Sequence, residues 1–371
     1  MLRLAQIVRR FKDAYLKRRH GRVPAHQRKA LEAIESCRTS RLGGIRRTCT
    51  HCGHTHVRWH SCRNRHCPRC QQNKQQEWIA ARLRELPPVA YTHLVFTVPD
   101  TLAQHCRAQP VVLYRALFEA ASQSVLQLAQ ERYGIKPGMI AVLHTWGENL
   151  HFHPHIHLIV TAGGMTRQGR WKPTGENYFL PVVALSTLFR AKCFAALKRL
   201  GQDLPEKPLP KAWVVYGRPP QADPGSILLY LARYVYRVAI DEFRLHSIDI
   251  ENVTFSYKDY RNGSKVKTMT LSGEEFLRRF LQHILPTGFV KVRHYGIFAH
   301  ATKAAALKQL RADLQQRIQA LVYTTQAILA LLERITLRPS SPRCLQCGSV
   351  QLIATEVMPT DCPDQIILKP P

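Results

Sequence analysis

The stretch HPHIHLIV at residues 153–160 alternates imidazoles with apolar residues and then runs into an unbroken aliphatic segment. In an extended strand, residues two apart face the same side. His155 and His157 therefore project together across Ile156, placed to share one divalent cation, while the following LIV anchors them on a rigid element. His153 has the same parity, with Pro154 between it and the pair as a point where the chain can turn. Upstream, GMIAVLHTW (138–146) reads as a second strand, and the polar link GENLHF makes an antiparallel pair of the two. A third strand is YTHLVFTVP (91–99), closed by proline.

Two histidines do not fill a coordination sphere. His93, on the 91–99 strand, is the preferred third ligand; Glu148, and behind it His144, are the alternatives if the 138–146 strand lies alongside. A mixed histidine and carboxylate set suits Mg²⁺ or Mn²⁺ better than a thiolate set does.

Around these strands the pattern is helical at 2–35, 71–86, 110–131, 185–200, 225–236, 274–286 and 300–336, with further strands near 248–270 and 289–299. Helices flanking an antiparallel sheet give an α+β class. Three regions are expected: a basic helical and zinc-binding module over 1–86, a catalytic domain over 87–300, and a helical C-terminal region over 301–371.

Charge narrows the partners. Within 371 residues, 54 Lys and Arg against 25 Asp and Glu leave a formal net charge of +29, and the first 80 residues alone hold 19 basic and 4 acidic side chains. That excess favours a polyanion, nucleic acid first, through phosphate neutralisation and counterion release. No apolar run is long enough to span a bilayer, and the opening MLRLAQIVRR lacks a secretory apolar core, so a cytoplasmic, nucleoid-associated protein is expected.

Nine of the 11 cysteines crowd the two ends, with Cys106 and Cys193 scattered between, and the odd total with its Cys-x-x-Cys spacings points to metal in a reducing compartment rather than to disulfides. Cys49 and Cys52 with Cys67 and Cys70 form two knuckles at a spacing suited to tetrahedral Zn²⁺. Cys37, Cys62 and His66, with one of His51, His54, His56 or His60, are candidates for a second site. Cys344 and Cys347 make one further knuckle, for which Cys362 is a candidate third ligand. Buried, metal-free cysteines would leave residues 37–70 with little else to build a core. Arg63, Arg65 and Arg69, interleaved with the ligands, are expected to grip DNA.

A nucleophile is offered by YLARY at 230–234. On a helix, Tyr230 and Tyr234 are four apart and share a face, with Arg233 and Arg237 on adjoining positions to counter phosphate charge. A cation on the histidines and a tyrosine attacking phosphorus give a 5′-phosphotyrosine and a free 3′-OH. The covalent bond keeps the phosphodiester energy, so a different 3′-OH can reverse the step without ATP, and no GxxxxGK[ST] loop occurs.

With HPHIH and YLARY both in view, the chain resembles the HUH-type transposases of the IS91 family. The likeness covers CRNRHCPRCQ (62–71), HLVFTVP (93–99), LHTWGENL (143–150), HPHIHLIV, YLARYVYRVAI (230–240) and RRFLQHILPTGFVKVRHYGIFA (278–299). It implies an N-terminal zinc-binding domain, a Rep/relaxase-like antiparallel sheet with flanking helices, and rolling-circle transposition of single-stranded DNA from element ends into target DNA. A host helicase or the replication machinery would supply unwinding. By the match, His155 and His157 are the metal pair and Tyr230 and Tyr234 the nucleophiles, while Arg293 is a candidate DNA contact beside the site. A plasmid relaxase or replication initiator would use the same chemistry. A non-enzymatic zinc-finger protein would leave HPHIH and YLARY unused, and a histidine-triad nucleotide hydrolase would leave the charge and the cysteines unused.

Overall fold

The structure, a computed structural model, describes residues 2–71, 86–87, 89–175, 180–220, 235–318 and 342–361. Its helices are α1 (Leu4–Arg18), α2 (Ala25–Ser36), α3 (Asp100–His105), α4 (Pro110–Tyr133), α5 (Val182–Arg199), α6 (Gly273–Leu281) and α7 (Lys303–Ile318). The strands are β1 (Gly44–Cys49), β2 (Thr55–Trp59), β3 (Tyr91–Thr97), β4 (Ile135–Lys136), β5 (Gly138–Trp146), β6 (Phe152–Thr161) and β7 (Gly163–Thr166). They continue with β8 (Trp171–Pro173), β9 (Val215–Gly217), β10 (Leu245–Ile248), β11 (Asn252–Asp259), β12 (Lys265–Ser272), β13 (Val292–Gly296) and β14 (Leu352–Val357).

The central sheet has the order β13-β5-β6-β3-β9, with antiparallel pairing throughout. Alternation sorts its side chains onto two faces. Leu94, Phe96, Leu143, Ile156 and Leu158 join Leu117 and Phe118 of α4 and Phe189 of α5 in one buried cluster. On the opposite face, Tyr91, Ile140, Val142 and Ile159 cluster with Leu307, Leu310 and Leu314 of α7. Further along that second face, towards the β5–β6 turn, the residues become His93, His144, His155 and His157. Apolar residues thus bed α7 at one end of the face and imidazoles occupy the other.

A second core links segments far apart in sequence. Leu4, Ile7 and Phe11 of α1 and Leu31 and Ile34 of α2 pack with Phe255 of β11 and Phe276 and Phe280 of α6. The helix α6 starts under the cap of Ser272, whose Oγ accepts from the Glu275 amide at 3.3 Å. It ends at Leu281 rather than near Pro286, because the chain turns there and the Gln282 and His283 side chains reach back to the Leu150 carbonyl. Of the expected helix over 225–236, residues 225–234 lie outside the described residues, as do 72–85 of the 71–86 helix and 319–336 of the last one.

Strand β13 ends in Gly296 at φ 64°, a left-handed backbone, and an added Cβ would sit 1.7 Å from the Pro137 carbonyl oxygen. Both the dihedral and the clash with backbone oppose any side chain. Gly296→Ala is expected to cost on the order of 2–4 kcal/mol. A lower denaturant midpoint for this variant is the check; an unchanged midpoint would show that the β13 corner tolerates rearrangement.

Candidate active site

Pairing of β5, β6 and β3 brings the histidines together. His155 stands opposite His144 on β5 and Thr97 on β3, and His157 stands opposite Val142 and Val95, so all of these share a face. The alignment depends on a bulge. Trp146 pairs with Phe152 and His144 with His155, so one residue of β5 faces two of β6, His153 and Pro154. Proline has no N–H to lose from the ladder, which suits it to that position. Without the bulge, His144 would oppose Pro154 and point to the other side of the sheet.

One ring nitrogen from each of His144, His155 and His157 lies within 4.8 Å of the others. His155 donates Nδ1–H to the His153 carbonyl at 2.7 Å. The Nδ1 of His157 is 3.0 Å from Nε2 of His93, whose ring stacks on it at 5.2 Å. The first bond places the proton of His155 on Nδ1 and leaves its Nε2 lone pair free to bind a cation, as in metal-bound histidines; the His157–His93 contact is open to either tautomer. Burial pushes His155 and His93 down to about 3, with His153 and Arg218 respectively adding repulsion, and burial also holds His157 well below the usual imidazole range. All three are neutral at neutral pH, the form that binds a cation. His93, the preferred third ligand, lies outside the trio of His144, His155 and His157, and its Nε2 meets Nδ1 of His157.

Glu148, the other expected ligand, lines the same cleft as the histidines and meets two arginines. Its carboxylate ion-pairs with Arg237 and, at 3.5 Å, with Arg244, and so holds Arg237 at the wall of the histidine cleft. That cleft has a volume of about 660 Å³, and Tyr257 and Tyr260 also line it, neither of them singled out by the sequence motifs. At its rim, His153 lies 3.2 Å from Asp100. Lys291, the lysine of the 278–299 block and a candidate DNA contact with its arginines, lies against an aromatic ring at the site. Burial, with Arg65 second, pushes it down to about 7; its Nζ sits 5.8 Å from the Trp146 ring, which stacks on His144. Tyr230, Tyr234 and Arg233 lie outside the described residues.

The basic residues divide by role. Arg63 is exposed and Arg69 half-buried beside the cysteines, positions open to a phosphate backbone. Arg65 is spent inside the protein: its guanidinium donates to the carbonyls of Phe289, Leu285 and Pro286 at 2.5, 3.2 and 2.6 Å. Arg293 opposes Ala141, so it lies on the sheet face away from the histidines, with its guanidinium 4.2 Å over the Phe118 ring.

The cysteines pair differently from the expected knuckles. Cys37, Cys62, Cys67 and Cys70 form one group, and Cys49 and Cys52 are grouped with Cys344 and Cys347, not with Cys67 and Cys70. His66 belongs to neither; its Nε2 accepts from the Leu285 amide at 3.2 Å. Cys362 lies outside the described residues. In the first group the Sγ separations of 3.6–3.7 Å match the edge of a tetrahedron built on Zn–S bonds of about 2.3 Å, about 3.8 Å. They are far too long for a disulfide, which needs roughly 2.05 Å.

Comparison with known proteins agrees with this geometry. A family model described as "Transposase zinc-binding domain" matches residues 7–98, and one described as "Putative transposase" matches residues 138–306. The chain is 38% identical over 380 residues to "Putative transposase y4qJ" of Sinorhizobium fredii (strain NBRC 101917 / NGR234), covering 95% of each. This chain is a transposase of the IS91 family. The transposase is also 28% identical over 343 residues to "Transposase for insertion sequence element IS801" of Pseudomonas savastanoi pv. phaseolicola, covering 85% of this chain and 80% of that one. No solved structure matches it. The zinc-binding match spans Cys37, Cys49, Cys52, Cys62, Cys67 and Cys70, and the other match spans the histidine row 151–157. Among the described residues, no helix of the transposase is long and apolar enough to cross a membrane.

Proposed function

We propose that this transposase cuts and rejoins single-stranded DNA through a 5′-phosphotyrosine, driving rolling-circle transposition with a divalent cation at His144, His155 and His157. The reading rests above all on the three imidazoles gathered at one point of a 660 Å³ cleft in a chain of net charge +29. Three imidazoles with phosphate oxygens and water completing the sphere make a set that suits Mn²⁺ better than the harder Mg²⁺, and a cation there would neutralise charge on the scissile phosphate.

The chain's own groups carry the rest. Tyr230 or Tyr234 attacks phosphorus through Oη, the P–O3′ bond breaks, and the departing 3′ oxygen takes up a proton as the phenol loses one. Arg237, three residues beyond Tyr234 and held by Glu148, is placed to meet the phosphate charge. Tyr257 and Tyr260 offer ring faces on which unpaired bases stack. Reversal by a second 3′-OH joins element to target DNA, and the partners are element ends, target DNA and a host helicase or replication machinery.

The test is a denaturing gel of the full chain with labelled single-stranded DNA carrying an element end, in Mg²⁺ or Mn²⁺. The protein-linked fragment is expected to persist in Tyr260→Phe and to vanish in the Tyr230→Phe, Tyr234→Phe double variant. Its survival in the double variant, mapped to Tyr257 or Tyr260, would transfer the nucleophile to the β11 end.

A further inference from the structure

Two short turns at opposite ends of the chain have the same construction. In CTHCG (49–53), the Cys49 amide donates to the His54 carbonyl at 2.9 Å, the Gly53 amide donates to the Cys49 carbonyl at 2.9 Å, and Gly53 has φ 70°. In CLQCG (344–348), the Cys344 amide donates to the Ser349 carbonyl at 2.7 Å, the Gly348 amide donates to the Cys344 carbonyl at 3.0 Å, and Gly348 has φ 75°. Each turn folds its two thiols to one side, and the left-handed glycine lets the chain leave without a Cβ in the way.

The two turns face each other. Sγ of Cys49 lies 3.7 Å from that of Cys347, and Sγ of Cys52 lies 3.6 Å from that of Cys344. All four are within 4.8 Å of one another. These separations again fit the edge of a Zn–S₄ tetrahedron, about 3.8 Å. Backbone pairing supports the juxtaposition independently: β14 adds to β1 from Gly44↔Val357 to Cys49↔Leu352, giving a three-stranded sheet, β14-β1-β2, with both turns at one end. That is the construction of a zinc ribbon, split between the chain's two ends.

We propose that Cys49, Cys52, Cys344 and Cys347 hold a second zinc ion, separate from the one in the Cys37, Cys62, Cys67 and Cys70 group. The family's zinc-binding match ends at residue 98, so half of this site falls beyond it. Binding converts four thiols to thiolates with loss of their protons to solvent, and it closes a loop of nearly 300 residues, where a metal clip restrains the unfolded chain most. The site stands whatever the chemistry at the histidines.

The first readout needs no variant. The full chain, purified without chelator, is expected to carry two zinc ions by elemental analysis. Under graded chelation with a thiol-alkylating probe read by mass spectrometry, Cys49, Cys52, Cys344 and Cys347 are expected to become reactive together as one zinc leaves. Labelling of the Cys344 and Cys347 pair independently of Cys49 and Cys52, or a content of one zinc, would overturn the proposal. The second readout is Cys344→Ser, Cys347→Ser, expected to hold one zinc while Cys37, Cys62, Cys67 and Cys70 stay protected. Retention of two zinc ions in that variant would overturn it as well.

Discussion

His157→Ala is expected to lower strand cleavage by roughly 10³-fold or more while leaving most single-stranded DNA affinity in place. His157 is the centre of the cluster: its ring lies 4.5 Å from His144, 4.9 Å from His155 and 5.2 Å from His93 between centroids. On the proposed reading, truncating it removes a ligand of the cation and also the imidazole that Nε2 of His93 meets, so the cation should be lost rather than displaced. Losing several kcal/mol of charge stabilisation at the phosphate is a thousandfold effect on rate. Affinity should survive because phosphate contacts spread over a basic surface do not pass through that cation. His93→Ala, by contrast, removes only the outer partner and should weaken cation binding by about 10–100-fold, with cleavage recovered at raised Mn²⁺. Denaturing gels for cleavage and fluorescence anisotropy for binding separate the two; equal loss of both in a folded His157→Ala protein would sink the assignment.

The second large effect is expected from Cys67→Ser. Cys37, Cys67 and Cys70 are buried within the same core as Leu31, Ile34, Phe255 and Phe280, so their zinc sits at the junction of α2 with α6 and β11. Structural zinc contributes an apparent binding energy of about 10–16 kcal/mol, as large as the whole stability of an ordinary domain. The variant should therefore lose one zinc, melt well below the parent and lose DNA binding and cleavage together, a pattern opposite to that of His157→Ala. Zinc content with a thermal melt is the measurement, and a folded Cys67→Ser protein with full zinc would refute it.

How far the sequence carried these readings varies by residue. Strands β3, β5 and β6 were legible because β-branched and aromatic runs closed by proline or a polar turn leave few alternatives, and the face shared by His155 and His157 follows from period two alone. That His144, rather than Glu148 or His93, gathers with His155 and His157 was not legible. It turns on a one-residue bulge, and periodicity cannot count a bulge; Pro154 was the one local sign that the ladder breaks there. Cysteine spacing announced knuckles but not which knuckle meets which, because Cys52 and Cys344 are neighbours only after the whole chain has folded. Arg65 looked like its neighbours Arg63 and Arg69. Only the position of the 285–289 carbonyls reveals that it straps the cysteine module to the catalytic region.

The order of the β14-β1-β2 sheet has a bearing on how the protein is made. Its central strand, β1, leaves the ribosome long before β14, the partner for one of its edges. Nearly 300 residues separate Cys49 from Cys347. At about 5–20 residues per second, that edge waits on the order of 15–60 s with its backbone groups unpaired. A chain that stops short of β14 therefore carries an open, adhesive strand beside its basic first helices, and synthesis of β14 is what seals it.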